Sequence, residues 1–259
     1  MSRQGLYDHL ASGSSHVCQC WLITRLDGVR YGFTDHDIPL AFENKEFVAA
    51  SGMSAKALAT TTGLAVDNSE AIGLLQSDVI AEDDIIAGRF DGAEVRNWLV
   101  RWTNVDDRTL RFVGTIGEIT RDGGQFQAEL RGLSDALNQP QGRSFLRNCS
   151  AVLGDNGCRL NLDDPTYAVT VPLQEVTERR ALVVDASGFK DRWFEQGKLI
   201  VKSGAAKGLT AVIKHDRKDG PRRDLTLWHP LRAAIAVGDE VTLIAGCDKR
   251  AKTCRVKFD

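Results

Sequence analysis

At 259 residues, 42% hydrophobic and with a formal net charge of -2, the chain is long enough for two domains with real cores and carries no global field that would draw nucleic acid. No apolar run reaches the roughly 18 residues a membrane helix needs, and the opening MSRQGLYDHLASGSS lacks an apolar h-region, so neither a stable membrane anchor nor a signal peptide is expected. Folding in a reducing cytosol follows as the expectation, where thiols are buried, metal-bound or reactive rather than bridged.

The first predicted element is a short helix. Leu6 and Leu10 stand at i, i+4, and Gly13 follows where a helix C-cap often sits. From His16 the pattern changes to strands: HVCQCWLITRLDGVRYGFTDHD reads strand, Asp27-Gly28 turn, strand, then a polar loop over Thr34 to Asp37. Ser51 to Asp67 is small and Thr-rich. Asp78 to Gly88 reads as a short helix or turn, and Ala93 to Thr103 as a strand. TLRFVGTIGEIT (109–120), RDGG (121–124) and QFQAELRGL (125–133) spell a hairpin. Phe126, Ala128 and Leu130 alternate with Gln125, Gln127, Glu129 and Arg131, the period of a half-buried strand. Ser134 caps a short helical stretch, and NQPQGRS (138–144) reads as a linker. A domain boundary is expected between about residues 140 and 165.

Beyond it come six strand patterns: YAVTVPL (167–173), RALVVDA (180–186), GKLIVKSG (197–204), LTAVIKHD (209–216), DLTLWHPL (224–231) and DEVTLIAG (239–246). Turn signals such as Asp219-Gly220-Pro221 and Gly238-Asp239 separate some of them. No helical period alternates with strands, so a Rossmann-type sheet is not expected. The rhythm predicts a barrel or sandwich.

The six cysteines fall in three pairs. Cys149 and Cys158 form C-x8-C beside the boundary. Cys247 and Cys254 form C-x6-C after the last strand, among Lys249, Arg250, Lys252, Arg255 and Lys257. All four are predicted in or next to loops. If the chain's end folds back onto the segment after the linker, four thiolates converge, a donor set for structural zinc or an iron–sulfur cluster. Four thiolates around either group leave a charge of about -2, which the cations would offset. Spacing does not name the metal, and buried unligated thiols or disulfides formed after release from the cell stay open beside it. In the third pair, His16, Cys18 and Cys20 share parity on one strand face. H-x-C-x-C can ligate a metal, but a face of small soft residues is more often core.

Other candidates are weaker. Asp35-His36-Asp37 offers two carboxylates and an imidazole, yet reads first as a polar turn. Glu82, Asp83 and Asp84 read as a solvated helical face. No G-x-S-x-G, H-E-x-x-H, P-loop or G-x-G-x-x-G occurs. Trp21, Trp98, Trp102, Trp193 and Trp228 are scattered, as core and interface anchors are.

Several segments carry a family resemblance. These are GFTDHDIPLAF (32–42), AASGM (49–53), LAVDN (64–68), IIAGRFDGAEV (85–95), GTIGEITR (114–121), AELRGL (128–133), CSAVLGDNGC (149–158) and GCDKRAKTCRVKF (246–258). With them the chain resembles the hub proteins of long-tailed phage and gene transfer agent tails. Its C-terminal half is similar to the tail tip protein L of lambda-like phages.

The resemblance implies a mainly β protein. N-terminal β-barrel hub domains (1–145) would precede a C-terminal β-rich domain (146–259). The latter would hold a [4Fe–4S] cluster through Cys149, Cys158, Cys247 and Cys254, with structural zinc as the alternative. It further implies a non-enzymatic homotrimer at the tail tip that contacts the distal tail protein, the central fibre-bearing tip protein and a tail-associated peptidase. DNA would meet it only in passage through the channel. The family pattern continues past Lys257-Phe258 with an Asn-rich, aromatic segment, so a further C-terminal tail is expected. The alternatives are a metal–sulfur redox enzyme and a carbohydrate-binding module.

Overall fold

The computed structural model describes residues 3–13, 15–49, 68–74, 80–122, 125–132, 142 and 146–258. The chain divides into two units, Met1–Pro140 and Gln141–Asp259. The Thr-rich stretch over 51–67, the Ser134 cap and most of the NQPQGRS segment lie outside the described residues.

The first unit opens with helix α1 (Arg3–Ala11), whose Leu6 is fully buried. Gly13 ends it at φ 81°, donating its amide to Leu10 O at 3.1 Å, the left-handed stop that glycine adopts without a Cβ clash. Eight strands follow: β1 (Val17–Thr24), β2 (Arg30–Thr34), β3 (Leu40–Phe42), β4 (Lys45–Ala49), β5 (Asn68–Leu74), β6 (Glu94–Arg101), β7 (Arg108–Asp122) and β8 (Gln125–Gly132). Helix α2 (Glu82–Ile86) lies between β5 and β6 in sequence. The sheet order is β3-β4-β2-β1-β6-β7-β8-β5.

Strand β1 has core on both of its faces. Trp21 and Ile23 join Phe33, Ile85, Phe90 and Val95 on one side. Cys18, Cys20 and Leu22 join Phe42, Phe47, Trp98 and Val100 on the other. The period-2 alternation thus feeds two separate clusters, which is why VCQCWLI is apolar almost throughout.

A barrel was expected in this half. Among the described residues, no pairing joins the edge strands β3 and β5, and the strands form one eight-stranded sheet. Strand β3 is three residues long and its ladder is taken up by β4, while β2 meets β4 only through Phe33–Val48 and Thr34–Ala49. That leaves little edge with which to close a cylinder.

The closed barrel is in the second unit. Its strands are β9 (Ala168–Thr177), β10 (Ala181–Asp185), β11 (Lys198–Val201), β12 (Thr210–Asp219), β13 (Arg222–Leu227) and β14 (Glu240–Ile244). They close in the order β10-β13-β12-β11-β14-β9, every neighbour antiparallel. Each coincides with one of the six predicted runs. Gly220 at φ 59° turns β12 into β13 with Asp219 opposite Arg222, as a two-residue hairpin with glycine first requires. Leu173, Leu182, Val184, Leu199, Val201, Ile213, Leu225, Leu227, Val241 and Leu243 build the core, with Phe194, Leu231 and Ile235 joining them.

One inward position on each of two strands is charged. Arg223 shares parity with Leu225 and Leu227, so it must point inward. A register shift between Ile213 and His215 turns Asp216 to the same side. Arg223 is 0% and Asp216 2% exposed. The guanidinium donates through Nη1 to both carboxylate oxygens at 2.8 and 2.6 Å, and through Nη2 to Phe189 O and Lys190 O at 2.8 and 3.0 Å. Asp216 also accepts the Phe194 amide at 2.8 Å. The pair therefore anchors the 189–194 segment to the barrel.

Candidate metal centre

The loop over 149–158 is folded by one carboxylate. Asp155 accepts the amides of Val152 (2.8 Å), Gly157 (2.8 Å) and Cys158 (2.7 Å). The Val152 and Cys158 amides lead in holding its carboxyl below the usual carboxylate range, and the Lys249 ammonium adds to the effect. Polar residues in a short loop take this form because a carboxylate can satisfy amides that no strand partner reaches.

The second loop leaves the barrel at the end of β14. Ala245 donates to Tyr167 O at 2.8 Å and Gly246 to Trp193 O at 3.0 Å. Position 246 has to be glycine: a Cβ there would stand 1.6 Å from Glu195 O. Cys247 follows. Asp248 then accepts the Arg250 amide at 3.0 Å and the Thr253 hydroxyl at 2.8 Å. Burial opposes its charge, yet these bonds prevail and keep its carboxyl below the usual range. The chain then enters helix α3 (Ala251–Lys257), which carries Cys254. Cys254, expected in or next to a loop, stands on this helix directly after the loop, and the Asp248 turn stabilises the helix start.

The two loops touch. Cys149 donates its amide to Lys249 O at 2.9 Å, and the Lys249 side chain donates to Ala151 O. Cys149 is therefore bonded to the residue two positions after Cys247. Cys158 and Cys247 are half-buried, Cys149 and Cys254 exposed, and none is in a disulfide. The sulfurs are not gathered into a closed ligand set: among the described residues no group of three or more His, Cys, Asp or Glu side chains is placed to hold a metal ion. What the fold supplies is the donor chemistry, four cysteines outside any disulfide, three of them on the two bonded loops and Cys254 on the helix that follows, with basic residues beside them in sequence. That composition fits a four-thiolate group once the side chains close around it.

Two features here escaped the sequence reading. Lys257 is half-buried and donates to Gly246 O at 2.8 Å and to Trp193 O, with its ammonium 4.5 Å from the Trp193 ring centroid. Burial pushes its ammonium down in pKa, against the pull of Cys247. Tyr167 and Phe258 pack with ring centroids 5.5 Å apart. An alternating pattern in 167–173 and a basic helix at the chain's end carry no signal that they meet.

The other candidates resolve individually. Cys18 and Cys20 point into core, Cys18 toward Val100 O at 3.7 Å and Cys20 toward Thr34 Oγ1 at 3.5 Å. His16 does not join them; it stacks on His9 at 5.9 Å and meets Trp102 edge-on at 5.3 Å. In the Asp35-His36-Asp37 bend, Asp35 accepts the Gln19 amide at 2.7 Å and His36 accepts the Ile38 amide at 3.0 Å, the work of a polar turn. His36 also packs on Trp102 at 5.0 Å. Trp102 thus gathers imidazoles from positions 16 and 36, a cluster that sequence distance hides. Of the acidic run, Glu82 and Asp83 are exposed as expected. Asp84 is not simply solvated: it pairs with Arg25 at 2.7 Å and Arg89 at 3.3 Å, because Arg25 is buried and needs a counter-charge.

Residues 3–161 match the family described as baseplate hub protein, N-terminal attachment domain. Residues 192–259 match the phage conserved hypothetical protein BR0599 family. A chain in the solved virion of a native gene transfer agent particle is similar over 99% of this chain and 88% of its own, at 46% identity and a TM-score of 0.90. Among curated proteins none matches. The chain belongs to the baseplate hub protein family of phage-type tails. That membership makes it a structural virion protein of a tail baseplate and not an enzyme.

Proposed function

We propose that this chain is the hub subunit of a gene-transfer-agent-like tail tip, forming a homotrimeric ring around the tail channel. The observation that carries the reading is the 46% identity over 99% of the chain to a chain of such a particle, together with the hub attachment family over residues 3–161. In this role one unit faces the distal tail protein and the assembly receives the central fibre-bearing protein, with a tail-associated peptidase as a further neighbour. DNA passes through the ring without a dedicated binding site, in keeping with a formal net charge of only -2.

Within the same proposal, Cys149, Cys158, Cys247 and Cys254 hold a [4Fe–4S] cluster, with zinc as the competing occupant. The support is that the loop carrying Cys149 and Cys158 is hydrogen-bonded to the loop after Cys247, and that none of the four cysteines is in a disulfide. When bound, the group cross-links the start of the second unit to the end of the barrel, and structural metal binding can contribute about 10 kcal/mol to folding. Its role is structural or that of a conformational sensor.

The test is anaerobic purification of the whole chain, with iron, zinc and sulfide analysis and mass measurement of the assembly, repeated on Cys247→Ser. Iron and sulfide in equal amounts, lost in the variant, support the cluster; zinc without sulfide replaces it with a structural zinc. A protein that stays monomeric and fails to co-purify with tail proteins overturns the ring.

A further inference from the structure

Helix α3 has seven residues and none of them is buried. An isolated helix shorter than about 12 residues is marginal in water, so its position must come from contacts at its ends. At its start Asp248 holds Thr253. At its end stand Lys257, on the carbonyls of Trp193 and Gly246, and Phe258, against Tyr167. Gly246 directly precedes Cys247, and its amide is bonded to that same Trp193 carbonyl. The Lys257 side chain therefore ties the helix bearing Cys254 to the backbone from which Cys247 departs.

The same ammonium has an electrostatic peculiarity. It is half-buried and lies over the Trp193 ring, yet among the described residues it forms no ion pair with a carboxylate. Asp216 is committed to Arg223 and the Phe194 amide, and Asp248 to Thr253 and the Arg250 amide. A partly desolvated cation on neutral carbonyls is incompletely compensated. One of those carbonyls belongs to Gly246, which directly precedes Cys247, one of the four thiols.

We propose that Lys257 is a positioning residue for the four-cysteine site, fixing Cys254 relative to Cys247 and supplying positive charge beside a four-thiolate group. The inference rests on the reading that these cysteines hold a metal group. Its two halves separate experimentally. The strap acts with or without metal, whereas the charge acts only on the loaded site.

The experiment uses the whole chain with Lys257→Gln, Lys257→Met and Lys257→Arg. In metal-free protein, hydrogen exchange is followed at the Cys254 and Phe258 amides, which donate to Arg250 O and Cys254 O. Both neutral variants are expected to lose protection there while the barrel amides keep theirs. Then the protein is loaded anaerobically with ferrous iron and sulfide, or with zinc, and release to a chelator is timed. Outer-shell replacements typically weaken metal retention about 10- to 100-fold. The neutral variants should release metal faster by that order, and Lys257→Arg should recover part of the retention because it keeps the charge. Wild-type exchange and wild-type release in the neutral variants overturn the proposal. Should Lys257→Met not fold, Lys257→Gln carries the same comparison, since it removes the charge and its shorter side chain falls short of the two carbonyls. If Cys247→Ser retains metal as wild type does, it is the four-cysteine reading that fails; the exchange comparison still decides the strap.

Discussion

Replacing Asp216 by Asn removes the only carboxylate bonded to the fully buried Arg223 guanidinium among the described residues. Asn keeps an acceptor, but one neutral oxygen replaces two charged ones at 2.8 and 2.6 Å. The two carbonyls of Phe189 and Lys190 cannot neutralise the remaining charge. Removing one partner of a buried pair costs about 3–5 kcal/mol. A unit of this size loses on the order of 4 °C in melting temperature per kcal/mol. The barrel should therefore melt about 15 °C lower, followed by fluorescence of Trp193, whose segment the pair anchors. Arg223→Met alone should also be costly, since it strands a buried carboxylate. The double replacement Asp216→Leu with Arg223→Met should cost clearly less than the two single changes added, because no buried charge remains. If the double variant loses the sum of the two or more, the residues act independently and the account of the pair is wrong.

Three further outcomes are expected. Gly246→Ala would place a methyl 1.6 Å from Glu195 O, so it should destabilise the barrel by about 3 kcal/mol or more, read by urea unfolding. Asp84→Ala strips a partner from the buried Arg25 at 2.7 Å; loosening of α2 and a loss of about 1.5 kcal/mol are expected, and Asp84→Glu should cost less. His9 lies below its ordinary value of 6.5 owing first to desolvation, then to Arg101 and His16, with Asp107 opposing. Because its folded value is depressed, the unfolded state binds the proton more readily, so stability present above pH 6.5 declines as the pH falls toward the folded value. Exchange at α1 should rise over that window, and His9→Gln should flatten the dependence; an unchanged pH profile in that variant would remove His9 from the explanation.

Much of the architecture could be read along the chain because strands and turns are local in cause. A period of two decides which residues share a face, and Gly28, at φ 85°, and Gly220 mark turns wherever they stand. The six barrel strands were visible for that reason. So was the parity of Cys18 and Cys20, although parity alone could not say whether the face they share would hold metal or core. The short ladder of β3 and the helix around Cys254 were not visible. The first depends on which edge a strand finds, and the second on a side-chain turn at Asp248 that competes with an otherwise loop-like composition.

Residue order by itself determined a mainly β chain, its turn positions and four cysteines in two separated pairs. Tertiary structure decided what those residues meet. It set Arg223 against Asp216 inside the barrel, joined the Cys149 amide to Lys249 and hung Lys257 on Trp193 and Gly246. Local spacing governs a residue's direction, whereas burial, charge compensation and the meeting of thiol loops depend on partners from other elements, seven positions away for Arg223 and Asp216 and 64 for Lys257 and Trp193, which only the closed barrel brings within bonding distance.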